Sequence, residues 1–268
     1  MRLPAKLFFA TLAAVWSLPL LWVMFCSFNL HLLGGVPSAG DLIFTTSNFS
    51  SLQHASLADA VLNSTWIGLG SAILGTSAAL LISFGLLCRP VPMMMPLMIV
   101  FSGRTLPPIV FLLPQYLFFR KIGIGSSRWA LLLVDAFTAM SLCLIFISPF
   151  LLRLHYAFFE QIQIDGASSY TYFLRVLLPQ LQGPILFSFI AAFMLSWSDF
   201  LFAGVFVVSE HTRTLPVLIS SFLTSYGTAW GPMYAALCVA LLGACTLVGM
   251  FLLGRAILLR TGPAHRKG

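Results

Sequence analysis

Six long apolar segments recur along this 268-residue chain, and they constrain its fold more than any other feature. They cover approximately residues 6–28, 58–87, 92–119, 129–152, 183–208 and 230–258. A helix needs about 20 apolar residues to cross the hydrocarbon core, where every backbone polar group must be satisfied within the segment. The sequence therefore predicts an all-α integral membrane protein, with six transmembrane helices in a single domain over residues 1–268.

The composition agrees with this prediction. Hydrophobic residues make up 59% of the chain and charged residues only 8%, whereas soluble domains carry roughly 25% charged residues. The net charge is +7, but the basic residues are scattered singly, and nucleic-acid binding needs a clustered basic face. The five cysteines show no CxxC or Cys/His ligand spacing, so we expect no metal site.

Basic residues set the expected orientation, because Lys and Arg are retained on the cytoplasmic side. With both termini inside, the inner set comprises Arg2, Lys6, Arg89, Arg153, Arg175, Arg255, Arg260, Arg266 and Lys267, and the outer set comprises Arg120, Lys121, Arg128 and Arg213. The first apolar run is too long for a cleaved signal peptide. We therefore expect a multi-pass protein of the cytoplasmic membrane of a prokaryote, with both termini cytoplasmic.

The predicted inner loop over residues 154–180 reads as helix, turn, helix around Asp165-Gly166. After the turn, apolar residues recur at helical spacing, namely Tyr170, Phe173, Leu174, Leu177 and Leu178. Ser168 or Ser169 is expected to cap the second helix, and Pro179 to end it. Periodicity alone also fits an ordinary interfacial loop whose apolar face rests on the membrane.

The amino-acid sequence of this loop resembles the EAA motif of ABC importer permeases. Glu160, the run Asp165-Gly166-Ala167, Phe173 and Pro179 stand at the spacing of that motif, while Gln161 and Ile162 replace its two alanines. The resemblance implies a cytoplasmic coupling loop seated in a cleft of a separate ATPase. Glu160, Asp165, Gly166 and Ala167 would then make the contact.

Other short matches are similar to the carbohydrate branch of these permeases, the group of the maltose system's second permease. They comprise Asn63-Ser64, the proline-rich run that begins at Arg104, Trp197-Ser198-Asp199-Phe200, Thr214-Leu-Pro-Val217, and Arg255 followed at the family's distance by Lys267-Gly268. The resemblance implies a C-terminal tail that reaches the ATPase through Lys267 and Gly268. It also implies a second homologous permease in a heterodimer, a pair of ATPase subunits that bind ATP and magnesium, and an extracytoplasmic solute-binding protein, with no cofactor on this chain.

Polar residues inside apolar spans are costly and tend to be functional. Asn63, Arg104, Trp197 and Asp199 are candidates for a translocation path, although Arg104 and Asp199 fit a purely structural role as well. Asp135 is expected to be a solvated charge near a membrane end. Trp66, Trp129, Trp197 and Trp230 mostly fall where an aromatic belt is expected.

These observations favour a transport subunit over an enzyme. The chain contains no GxxxxGK[ST], HExxH or GxSxG sequence, and its five histidines lie in predicted loops or in the tail. We expect an importer permease for a sugar or sugar-like solute, with ATP hydrolysed by a partner and no catalytic residue here. The alternative is an ion-coupled secondary carrier, which normally requires paired carboxylates near the middle of the membrane, where Asp199 alone is weak support.

Overall fold

The computed structural model describes residues 3–29, 32–33, 36–37, 44–53, 56–88, 94–151, 168–224 and 227–261. The chain is mostly helical there, which confirms the predicted class. Its helices are α1 Leu3–Ser27, α2 Ser47–Gln53, α3 Leu57–Leu87, α4 Met94–Thr105, α5 Ile109–Lys121, α6 Arg128–Leu151, α7 Ser169–Tyr172, a π-helical turn Phe173–Leu177, α8 Leu178–Gln180, α9 Gln182–Trp197, α10 Ala203–Phe206, α11 Leu215–Ser220 and α12 Trp230–Thr261. Two antiparallel hairpins pair β1 Leu32–Leu33 with β2 Val36–Pro37, and β3 Leu223–Thr224 with β4 Gly227–Thr228.

Three of these helices are long and apolar enough to cross a bilayer. They are α3, α6 and the Trp230–Ala256 part of α12, and a fourth crossing is possible if the bent pair Ser169–Gln180 and Gln182–Trp197 counts as one span. The apolar stretch Thr11–Ser27 of α1 is shorter than these three helices. The structure thus supports a polytopic helical membrane fold, without establishing all six predicted spans.

The third apolar segment is two helices instead of one. Helix α4 ends at Thr105 and α5 begins at Ile109, and the three residues between them include Pro107 and Pro108. A proline lacks the backbone N–H needed for the helical hydrogen bond and clashes with the preceding turn. The break in this proline-rich segment is therefore located at the Pro-Pro pair.

The fifth segment also breaks. Helix α9 ends at Trp197, eleven residues before the predicted end at residue 208, and a short helix, Ala203–Phe206, follows after a turn. Asp199 accepts hydrogen bonds from the backbone N–H groups of Phe202, at 3.4 Å, and Ala203, at 2.9 Å. These bonds satisfy backbone N–H groups in the turn that leads into the new helix.

The core of the bundle forms where α3 packs along α6 and α9 packs against both. Small residues on one face of α3 allow this close approach. A Cβ atom at Gly75 would lie 2.8 Å from the Ala139 Cβ and 2.9 Å from the Ala136 carbonyl oxygen, and one at Gly68 would lie 2.9 Å from the Phe193 ring. Small residues at helix interfaces are the usual way in which membrane helices gain packing energy.

Helix α12 packs against α1, α2 and α11, beside the core formed by α3, α6 and α9. A buried side chain, Asn48 of α2, donates hydrogen bonds to the carbonyl oxygens of Ser27 and Asn29, at 3.0 and 2.9 Å. These bonds hold the end of α1 beside α2 and satisfy backbone groups that the helix end leaves unpaired.

Candidate functional site

Only the second half of the predicted coupling loop lies within the described part of the chain. Glu160, Asp165, Gly166 and Ala167 fall outside the described residues, as do Lys267 and Gly268 of the tail. The described half begins with Ser168, whose side-chain oxygen accepts a hydrogen bond from the Thr171 backbone N–H at 3.2 Å. Ser168 is therefore the N-cap, one of the two serines predicted for that position.

We call residues 168–180 the coupling segment; it contacts the membrane bundle through aromatic side chains. Tyr172 is buried, and both Tyr172 and Phe173 lie against Phe84 near the end of α3, with ring centroids 6.3 and 4.9 Å apart. Leu177 is also buried and belongs to the same core cluster. This half of the loop is thus packed against α3.

The apolar face predicted for the coupling segment is only partly right. Tyr170 is 73% exposed and Leu174 is 40% exposed, while Tyr172, which was not assigned to the face, is buried. The reason is the π-helical turn Phe173–Leu177. A π-helix has more residues per turn than an α-helix, so positions spaced for an α-helix no longer share one face.

The second helix of the loop ends at Gln180, one residue after the end predicted at Pro179. The chain stays helical through Gln180 and changes direction at Leu181, so that the helices on either side meet at 76°. Proline is tolerated in the first turn of a helix because its missing N–H would have no helical partner there. The preceding π-helical turn makes Pro179 such a first-turn residue of α8.

Asn63 organises the opposite end of the bundle. Its amide nitrogen donates hydrogen bonds to the carbonyl oxygens of His211 and Arg213, at 2.9 and 3.1 Å, and its amide oxygen accepts one from Arg128 at 2.8 Å. The neighbouring Ser64 hydroxyl accepts a hydrogen bond from the Leu215 backbone N–H at 2.8 Å. The structure therefore gives Asn63 the contacts of a tether between α3, α6 and the loop at residues 209–214.

Arg104 connects the end of α4 to α6. Its guanidinium donates hydrogen bonds to the Thr138 carbonyl oxygen and the Ser141 hydroxyl, both at 3.1 Å. Of the two roles considered for Arg104, these contacts favour the structural one, because they join the broken third segment to the core. The side chain is nevertheless exposed in the isolated chain.

Asp135 is the polar residue that the sequence prediction misplaced. It is 3% exposed instead of solvated, lies within α6, and accepts a hydrogen bond from the Ser196 hydroxyl of α9 at 2.5 Å. Asp199 lies near enough for the two carboxyl groups to interact electrostatically. The signal that could have identified this cluster is the presence of two acidic residues within apolar segments, since such residues face the bundle interior.

Trp197 belongs to the core. It is 5% exposed, its ring lies 5.5 Å from that of Phe193, and it covers Gly243 of α12, where a Cβ would lie 3.1 Å from the indole. By contrast, Trp66 and Trp129 form an edge-to-face pair 4.8 Å apart and are 41% and 61% exposed, as residues of an aromatic belt are expected to be. Trp197 is therefore a packing residue of the α9–α12 contact.

The described residues contain no group of three or more His, Cys, Asp or Glu that could hold a metal ion. The cysteines among them, Cys26, Cys88, Cys143, Cys238 and Cys245, form no disulfide.

Comparison with solved structures supports the fold. The structure is similar to a chain from the crystal structure of a bacterial ABC transporter involved in the import of the acidic polysaccharide alginate. The match covers 92% of this chain and 93% of that chain, with a TM-score of 0.66 and 13% sequence identity. At that identity the likeness concerns the fold alone.

Two curated relatives show the extent of sequence similarity. The "Probable ABC transporter permease protein YurM" of Bacillus subtilis is 29% identical over 157 residues, which cover 59% of this chain and 51% of YurM. The "Trehalose/maltose transport system permease protein MalG" of Thermococcus litoralis is 31% identical over 149 residues, 51% of this chain and 53% of that protein. The aligned part of the chain thus spans about half the length of these relatives.

The family match covers more of the chain and does not depend on any single relative. Residues 91–258, more than half of the sequence, match the family described as "Binding-protein-dependent transport system inner membrane component". This region contains the broken third segment, α6, the coupling segment, α9 and most of α12. The chain therefore belongs to the family of inner membrane components of binding-protein-dependent transport systems.

Proposed function

We propose that this chain is the permease subunit of an ATP-driven importer that moves a sugar or sugar-like solute inward across the cytoplasmic membrane. The family match over residues 91–258 carries this proposal. The sugar class is supported by the trehalose/maltose relative. In this proposal the chain crosses the membrane six times, with both termini cytoplasmic, and forms a single domain over residues 1–268.

Coupling would run through the loop at residues 154–180. Glu160, Asp165, Gly166 and Ala167 would contact the ATPase, and Phe173 and Pro179 would belong to the second helix of the lever, with Lys267 and Gly268 in a tail that reaches the same partner. The burial of Tyr172 and Leu177 against the bundle supports this proposal, because a lever must be attached rigidly at one end. ATP and magnesium would be bound by the ATPase pair and not by this chain.

The partners would be a second homologous permease, the ATPase pair and an extracytoplasmic solute-binding protein. A surface suited to a second membrane subunit is present on α5, a 13-residue helix without a buried residue. Its Ile109, Leu113 and Leu117 are each more than half exposed. An apolar helix packed on one side only is left to meet lipid or another membrane helix.

The family match argues against the ion-coupled carrier, although Asp135 provides the second acidic residue that a carrier would need. In the described structure Asp135 accepts a hydrogen bond from Ser196, and Asp199 accepts hydrogen bonds from the backbone N–H groups of Phe202 and Ala203, so both carboxyl groups have structural partners. This arrangement supports helix joining as the role of the pair.

Co-purification tests the proposal. The tagged chain, expressed in its native host, is extracted in mild detergent as wild type, as Gly166→Val in the coupling turn and as Gly85→Val, a matched control on α3 where an added Cβ meets nothing within 4 Å. We expect an ATPase and a second permease to accompany wild type and Gly85→Val, and the ATPase to be lost with Gly166→Val. A chain that purifies alone in all three forms would overturn the importer.

The solute class requires a separate measurement. Deletion of the gene is expected to abolish uptake of one or a few radiolabelled sugars or sugar derivatives, and the wild-type gene should restore it. If all sugar uptake is unchanged while uptake of another solute class is lost, the permease assignment stands and the sugar assignment does not.

A further inference from the structure

A groove of about 710 Å³ lies between the coupling segment, the start of α9 and the end of α12. The coupling segment contributes Leu174 and Leu178 to its wall, α9 contributes Ile185 and Phe189, and α12 contributes Met250 and Phe251. The groove is mostly apolar and its volume is in the range of small-molecule sites, roughly 300–1,000 Å³. It lies beside the π-helical turn and the 76° bend at Leu181, where the coupling segment joins the bundle.

One cationic side chain lines this apolar groove. Arg255 is exposed, and its Nη2 lies 3.6 Å from the position that a Cβ atom would take at Gly183, so the guanidinium lies over the first turn of α9. Among the described residues Arg255 forms no ion pair. A second exposed cation, Arg175, lies on the coupling segment next to Leu174.

We propose that an anionic phospholipid binds in this groove, with an acyl chain between the coupling segment and α12 and its phosphate on Arg255. The match of charge and polarity supports this occupant, because the groove combines an apolar wall with a guanidinium. A phosphate accepts two parallel hydrogen bonds from a guanidinium. Basic pockets between membrane helices on the cytoplasmic side are known to bind anionic headgroups.

The inference rests on the proposed function in one respect, namely the assignment of this end of α12 to the cytoplasmic side. The expected consequence concerns coupling. A lipid in this position contacts the coupling segment and α12 at once, so its presence would restrict movement at the bend at Leu181. An anionic lipid would then regulate how ATPase movement reaches the bundle.

The test uses the tagged chain together with whichever partners co-purify. Bound lipid is extracted and quantified by mass spectrometry after washing with detergent that contains equal amounts of phosphatidylglycerol and phosphatidylcholine. Two variants address the groove. Arg255→Gln removes the charge, and Gly254→Trp fills the space, since Gly254 lines the groove and an added Cβ there meets nothing within 4 Å.

Each variant has a matched control outside the groove. Gly249→Trp places the same side chain on the same helix at a glycine that is equally open but does not line the groove. Arg120→Gln removes a basic residue from α5. We expect wild type and both controls to retain phosphatidylglycerol over phosphatidylcholine, and both groove variants to retain at least about threefold less phosphatidylglycerol.

Equal retention of the two lipids by wild type, or identical retention by Arg255→Gln and Arg120→Gln, would overturn the lipid site. Loss of a co-purifying protein subunit from Gly254→Trp, with phosphatidylglycerol unchanged, would also overturn it and assign the groove to that subunit. Failure of the lipid site is distinguishable from failure of the importer. In the first case an ATPase co-purifies without specific lipid, and in the second specific lipid is retained without an ATPase.

Discussion

The Ser196 hydroxyl of α9 donates a hydrogen bond of 2.5 Å to the Asp135 carboxylate of α6, and both residues are buried. This bond connects two of the three helices that form the bundle core. It also gives Asp135 a polar partner within an apolar helix, where an unsatisfied carboxyl group would be costly.

Ser196→Ala is expected to lower the free energy of unfolding, because it leaves a buried carboxyl group without this hydrogen-bond donor. Interhelical hydrogen bonds in membrane proteins contribute about 0.5–2 kcal/mol, and we expect a loss in that range. The measurement is thermal or denaturant unfolding in detergent micelles. The double variant Ser196→Ala with Asp135→Leu should recover part of the loss, since neither partner then leaves a buried polar group; full stability of Ser196→Ala alone would contradict the prediction.

Asn63→Ala should release the loop at residues 209–214 from the bundle. The substitution removes two hydrogen bonds to the carbonyl oxygens of His211 and Arg213 and the acceptor for Arg128. We expect faster amide hydrogen exchange in this loop and a loss of about 1–3 kcal/mol in stability.

Thr65→Ala is the control for Asn63→Ala, because the Thr65 hydroxyl donates its hydrogen bond to the Val61 carbonyl oxygen within the same helix. Its exchange pattern over residues 209–214 should match wild type. If both variants exchange alike in the loop, Asn63 does not hold it. If Asn63→Ala abolishes transport without changing amide hydrogen exchange in the loop, the result would support the role in the translocation path that was predicted from the sequence.

Gly75→Ala is expected to destabilise the protein because α3 and α6 touch at this position. The added Cβ would lie 2.8–2.9 Å from Ala139 and from the Ala136 backbone, where neither neighbour is a flexible side chain. Overpacking of this kind costs about 1–3 kcal/mol. Gly85→Ala on the same helix meets nothing within 4 Å and should be neutral or slightly stabilising, by up to about 1 kcal/mol. Equal melting temperatures for the two variants would contradict this packing.

Tyr172→Ala should loosen the coupling segment from the bundle, whereas Tyr170→Ala should not. Tyr172 is 2% exposed and lies near Phe84, and Tyr170 is 73% exposed. Truncation of a large buried aromatic residue costs about 3–5 kcal/mol of packing energy. Because this energy holds the coupling segment against the bundle, we expect the variant to lose solute uptake while the ATPase stays bound. Uptake and ATP hydrolysis measured in reconstituted vesicles check this, and equal uptake by the two variants would contradict it.

Much of the membrane architecture follows from sequence because it depends on local composition. An apolar run of about 20 residues forms a helix in hydrocarbon whatever surrounds it, and the predicted starts at residues 58 and 129 lie within one residue of Leu57 and Arg128. The break at Pro107-Pro108 is local for the same reason, since proline acts on its own turn. The family resemblance was likewise recognised from short motifs whose residues are close together in the sequence. The family match over residues 91–258 supports that resemblance.

The positions of the polar side chains could not be predicted from the sequence in the same way. Asp135 is close in sequence to the start of its apolar segment, and this position predicted a solvated charge near a membrane end. In the structure, its contact with Ser196, 61 residues away, places it in the core. Asn63 likewise meets a loop about 150 residues later. Tyr170 and Tyr172 are two residues apart in α7 and therefore lie on different sides of the helix, and the contact with Phe84, about 90 residues earlier, decides that Tyr172 is the buried one.

The sequence by itself determined that this chain is helical, lies in a membrane and belongs to the family of inner membrane components of binding-protein-dependent transport systems, because hydrophobic length and motif spacing are properties of neighbouring residues. Only the tertiary structure decided which polar groups pair, which face of the coupling segment is buried and where a cationic side chain lines an apolar groove. Those features depend on contacts between distant segments. Their energies arise only when helices such as α3, α6 and α9 are brought together.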